Sequence, residues 1–257
     1  MSKRFTVCAL AALLVACTAI ESHAVTLTPS SAGLGWTRGD ADTTYMEWDE
    51  FAGGEANPPD PDQVPDIGSF GTGAEFATVN VTSAANPGII TSTDNIYSSG
   101  DPIEFTVDFP VESDNFTRVM VQIRTLGTDL DTDSLLIGTT APSYIEEISR
   151  VTSGSPFGGS SVDTVAVWDF SGPISMLSLD FGSLIAPAPF PPNGPSSFMS
   201  LDKLVIDTGS QTTAFAALDT PFVASVPEPN AAILAVIGML GFLGLVFYRK
   251  SRVKRLS

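Results

Sequence analysis

Ile103-Glu104-Phe105-Thr106-Val107-Asp108-Phe109 alternates apolar and polar residues from end to end. Successive side chains of a β-strand point to opposite faces, so the pattern puts Ile103, Phe105, Val107 and Phe109 on one side and the polar residues on the other. Working outward, Arg118-Val119-Met120-Val121-Gln122-Ile123-Arg124 predicts a second such strand, with Val119, Val121 and Ile123 turned one way. Tyr144 to Val151, Thr164 to Phe170, Met176 to Phe181 and Leu201 to Asp207 are further strands, set apart by clusters of Gly, Pro, Asn and Ser. No long amphipathic helical pattern lies between Ala24 and Val226. One-sided strands without helices bury their apolar faces on one another, which predicts an all-β, jelly-roll-like antiparallel β-sandwich in preference to an immunoglobulin-like or solenoid arrangement. Gly53 to Asp66 and Ala186 to Pro195 are proline-rich and read as loops, because proline removes ladder donors.

The two ends of the chain have a different character. Lys3-Arg4, the apolar stretch Phe5 to Ile20 and the small residues around Ser22-His23-Ala24 predict a signal peptide over residues 1–24, cleaved after Ala24. Leu14-Val15-Ala16-Cys17 offers a competing outcome, a lipobox in which Cys17 is lipidated. At the other end, Ala231 to Tyr248 is an 18-residue run without a charge. As a helix it spans roughly 27 Å, close to the ~30 Å hydrocarbon core of a bilayer. The basic tail from Arg249 to Arg255 should remain cytoplasmic, leaving the preceding domain outside. Residues 25–207 are thus read as the ectodomain, 208–225 as a linker and 226–257 as the C-terminal signal.

Val226-Pro227-Glu228-Pro229, followed by a hydrophobic helix and an Arg/Lys tail, resembles the PEP-CTERM sorting signal of Gram-negative bacteria. The resemblance covers Val226 to Arg255 only. It implies processing near Pro227-Glu228-Pro229 by an exosortase-type enzyme in an exopolysaccharide-producing cell. Removal of the helix would follow, then release or attachment at the cell surface. It implies no activity for the ectodomain.

Composition narrows that activity. Cys8, Cys17 and His23 are the chain's only cysteines and histidine, and all lie in the signal segment. The processed chain therefore has no thiol nucleophile, no imidazole for a nucleophilic triad and no Cys/His zinc site. Between the two ends, five Lys and Arg stand against 27 Asp and Glu, a net charge of −22. Such a balance repels nucleic acid and anionic membrane surfaces. A glycosidase or lyase built on paired carboxylates is conceivable, but no pair is distinguished among so many acids. The expectation is a non-enzymatic surface or extracellular-matrix protein without a cofactor; the alternative is a carbohydrate-binding module acting on exopolysaccharide.

Two constellations are candidate sites. Asp129, Asp131 and Asp133 alternate in what reads as a loop between strands, where carboxylates can converge on a structural Ca²⁺. The Gly and Glu of an EF-hand are missing, with Ser134 and Thr140 in their places. Trp36 and Trp48, amid Arg38, Asp40, Tyr45, Asp49 and Phe51, suggest either a sugar-stacking platform or a first strand packing its aromatics into the core. Ser200 to Asp207 resembles the closing strand of carbohydrate-binding jelly rolls.

Overall fold

The computed structural model describes residues 26–51, 65–70, 77–83, 88–91, 93–98, 100–112, 114–152, 159–187 and 195–218. The signal segment, the motif Val226 to Pro229, the apolar run and the basic tail lie outside the described residues. Among the described residues no helix is long and apolar enough to cross a membrane.

The strands, in chain order, are β1 Thr43–Trp48, β2 Ile67–Phe70, β3 Thr78–Val81, β4 Ile89–Ile90, β5 Ile96–Tyr97, β6 Glu104–Pro110 and β7 Phe116–Gly127. They continue with β8 Leu130–Ile137, β9 Tyr144–Thr152, β10 Ser160–Ser171, β11 Met176–Ser183, β12 Ala186–Pro187, β13 Pro195–Ser196 and β14 Met199–Gln211. The large sheet runs β2-β1-β14-β7-β10-β9, with β5 attached to β14 and β4 to β5. The small sheet runs β3-β6-β11-β8, and β12 pairs with β13. The pairings are antiparallel throughout, so the fold is an all-β, two-sheet sandwich.

The opening stretch becomes β6, and its alternation does what the pattern requires. Phe105, Val107 and Phe109 are buried, as are Leu177, Leu179 and Phe181 on the neighbouring β11. Phe105 sits opposite Phe181 in register, and their rings stack with centroids 4.9 Å apart. From the facing sheet come Met46 and Trp48 of β1, Val119, Val121 and Ile123 of β7, Trp168 of β10, and Leu204 and Ile206 of β14. Each large apolar side chain buried this way contributes roughly 1.5–3 kcal/mol relative to exposure. Trp168 also donates its indole N–H to the Thr140 carbonyl at 3.0 Å, tying β10 to the connection between β8 and β9.

The outer face of the large sheet departs from the one-sided pattern. Met120, Val165 and Val167 point away from the sandwich interior, yet they are buried in a second cluster with Leu27, Leu34 and Trp36. Phe215 and Leu218 pack against the same cluster. The stretch 208–225, read from sequence as linker, is therefore not uniform. Its first residues extend β14 to Gln211, and Phe215 and Leu218 cover the sheet. Gly209 makes this seating possible: a Cβ there would lie 2.8 Å from Cδ2 of Trp36, so the indole occupies the space a side chain would take.

Candidate functional site on the outer face of the large sheet

Before β1, the chain is shaped by short-range polar bonds. Thr28 N donates to Ser31 Oγ at 2.8 Å, Ser31 N donates back to Thr28 Oγ1 at 3.2 Å, and Leu34 N reaches the Pro29 carbonyl at 2.9 Å. The turn ends through Gly33 and Gly35, whose φ angles of 70° and 93° lie in the left-handed region that glycine adopts without steric cost. Two anchors fix the segment to the sheet. Leu27 exchanges both backbone bonds with the Gln122 side-chain amide, at 2.8 and 2.7 Å. Arg38 grips Asp207 of β14 through Nε and Nη2 at 2.6 and 2.8 Å, and its guanidinium lies 3.8 Å over the Tyr45 ring. Asp207 is fully buried, and burial pushes its carboxyl up to about 6; Arg38 pulls the other way without cancelling it.

The segment after β14 is held by Arg118, which is only 3% exposed. Its Nε and Nη2 reach the Asp169 carboxylate at 2.6 and 2.8 Å, and Nη2 also donates to the Ala216 carbonyl at 2.8 Å. The guanidinium lies 4.8 Å over the Phe215 ring, and that ring meets Trp36 with centroids 5.8 Å apart at 59°. The segment before β1 and the segment after β14 thus touch each other on the outside of the sheet. Between them is a cavity of about 370 Å³, lined by residues 32–35, Arg118, Gln211 and residues 215–218.

Ion pairing continues across this face. Arg124 pairs with Asp163 at 2.8 Å and with Asp202 at 3.6 Å, and Lys203 pairs with Glu47. Asp163 is raised above the ordinary carboxylate range by burial, against the lowering pull of Arg124. With Arg150, which pairs with Asp129 and Glu147, all five cations of the stretch between the two ends are held by carboxylates.

The two tryptophans singled out from sequence do not share a platform. Trp48 is fully buried between the sheets, and Trp36 is 8% exposed on the opposite face of the large sheet. The indole N–H of each is buried without a hydrogen-bond partner among the described residues.

The aspartates of 129–133 are not held together in a loop. Only Thr128 and Asp129 connect β7 to β8; Asp131 and Asp133 lie on β8 itself, where the ladder with β11 is bulged. Asp133 N bonds to the Asp131 carboxylate at 3.1 Å, while Asp129 takes two bonds from Arg150, each 3.1 Å. Among the described residues, no three His, Cys, Asp or Glu are grouped so as to hold a metal ion. Asp129 and Arg150 instead line a second groove of about 360 Å³, where the edge strands β8 and β9 face each other, with Ile145, Glu147 and Leu184.

Arg118, Gln211 and Phe215 escaped the sequence reading. Arg118 stood at an outward position of an amphipathic strand, where solvation is the ordinary expectation. The apolar run Phe215-Ala216-Ala217-Leu218 was the available signal that the segment after β14 is not free. No family model matches this sequence, and no curated protein or solved structure matches it either.

Proposed function

We propose that this chain is an exported surface or extracellular-matrix protein whose ectodomain serves as a structural or interaction module. It is carried across the cytoplasmic membrane of a Gram-negative bacterium by residues 1–24, tethered by Ala231 to Tyr248, and processed by an exosortase-type enzyme at Val226 to Pro229. The observation that carries this reading is the order of Pro-Glu-Pro, uncharged run and basic tail over Val226 to Arg255. Phe215 and Leu218 pack on the domain, and residues 219–225 stand between Leu218 and the motif in the sequence.

The ectodomain itself is read as jelly-roll-like, since the chain passes repeatedly between the large and small sheets from β6 to β11. A non-enzymatic role is consistent with a chain lacking cysteine and histidine after His23 and with cations committed to ion pairs. Burial of Trp36, Trp48 and Trp168 favours a structural role over a broad aromatic surface for polysaccharide. Intact-mass measurement of the exported protein tests the proposal. A mature form starting after Ala24 and lacking Ala231 to Tyr248 is expected; an exported form retaining the whole C-terminus would overturn it.

A further inference from the structure

We infer that the cavity between the segments before β1 and after β14 is a binding site for a neutral, hydroxyl-rich ring, a single pyranose unit. The site differs from the Trp36 and Trp48 platform suggested by sequence, and it does not depend on how the chain is sorted.

Three features of the cavity specify the ligand. Its volume of about 370 Å³ falls at the lower end of the range for small-molecule sites, which suits one ring and not a long chain. Its polar groups are few, and part of their hydrogen-bonding capacity is unspent among the described residues. Arg118 spends Nε and Nη2 on Asp169 and Ala216, leaving the two N–H groups of Nη1 without a partner among the described residues. The Gln211 amide, also in the wall, makes no side-chain hydrogen bond among them. A fixed guanidinium edge and an amide together offer donors and an acceptor, the combination that vicinal hydroxyls engage. The apolar contribution is the Phe215 ring, held by Arg118 and Trp36, with Ala217 beside it. A pyranose presents C–H groups on its faces and hydroxyls at its edge, matching a wall divided in this way.

Charge argues for a neutral ligand. The Asp169 carboxylate already neutralises Arg118, and the domain around the cavity carries a large negative excess. A carboxylate-bearing sugar would enter against that field without a free cation to meet it.

The test uses the full chain in zwitterionic micelles, which carry no sugar headgroup. The methyl pyranosides of glucose, galactose and mannose, N-acetylglucosamine and, as the charged arm, glucuronate are titrated by ligand-detected NMR and tryptophan emission. Trp48 and Trp168 are fully buried, so an emission change reports on Trp36, whose ring packs against Phe215 of the cavity wall. At least one neutral sugar is expected to bind with an emission change. Gln211→Leu should weaken it about tenfold, the loss of a hydrogen bond that leaves partners unsatisfied. Ala217→Phe, at an exposed position, should block it, with both variants melting like the parent. Arg150→Ala, in the other groove, should bind as the parent does. Binding of no neutral sugar, preference for glucuronate, or undiminished binding in both cavity variants would each overturn the inference.

Discussion

The contact between Gly209 and Trp36 allows a sharp test of how the outer layer is built. Gly209 lies in β14 without a positive φ, so alanine is acceptable to the backbone, and by strand preference alone Gly209→Ala should stabilise by roughly 0.5–1 kcal/mol. The new Cβ would however lie 2.8, 3.0 and 3.1 Å from three atoms of the Trp36 indole. Carbon atoms rest at about 3.5–4.0 Å, so the indole must lift by several tenths of an ångström or more. Lifting it disturbs the ring contact with Phe215 and the packing over Met120. Overpacking of this kind costs about 1–3 kcal/mol. The full chain, its Trp36→Ala variant, Gly209→Ala and the double variant are unfolded in urea and their stabilities compared. Gly209→Ala should cost about 1–3 kcal/mol in the parent and nothing, or give a small gain, once Trp36 is gone. An equal cost in both backgrounds would refute the claim that the glycine exists to seat the indole.

Two further outcomes follow from the charges. Burial raises Asp207 from 3.8 to about 6 in the folded state, so the fold binds more protons than the unfolded chain between those values. Stability should therefore fall by up to about 3 kcal/mol as pH rises from 4 to 6 and level off above, and Asp207→Asn should flatten the curve in urea titrations at stepped pH. Arg150 is 37% exposed and Arg118 only 3%, although each grips a carboxylate through two bonds. Arg150→Ala should cost less than about 1 kcal/mol, and Arg118→Ala roughly 2 kcal/mol or more, because the second also frees Phe215 and strands the Ala216 carbonyl; similar losses would contradict the packing described.

Two strands of the small sheet, β6 and β11, were legible because each faces apolar neighbours on one side only. Period-two alternation in Ile103 to Phe109 and Met176 to Phe181 gives β6 and β11 nearly to the residue. β7, β10 and β14 were placed too, but they ran longer than their patterns, since both faces of these central strands are buried and alternation no longer marks the edges. What covers their outer face comes from segments more than a hundred residues apart, and no local pattern announces such a meeting. β8 was mistaken for a loop because its acids read as a solvated turn. Leu130, Leu135 and Ile137 hold it in the core, while Asp133 sits in the irregular stretch between the paired Asp131 and Leu136. The candidate cavity was the least legible feature, because its wall is assembled only when the ends meet.

β14 occupies the middle of the large sheet, bonded along one edge to β1 and along the other to β7. It is also the last strand in chain order among the described residues. A chain that emerges amino end first therefore holds β1 and β7 without their common neighbour until almost the whole domain has appeared. The contacts of Trp36 wait longer still, for Gly209 and then Phe215. Closing loops of that length is slow, and until it happens β7, β10 and β9 can pair among themselves while β1 has no strand to join it to them.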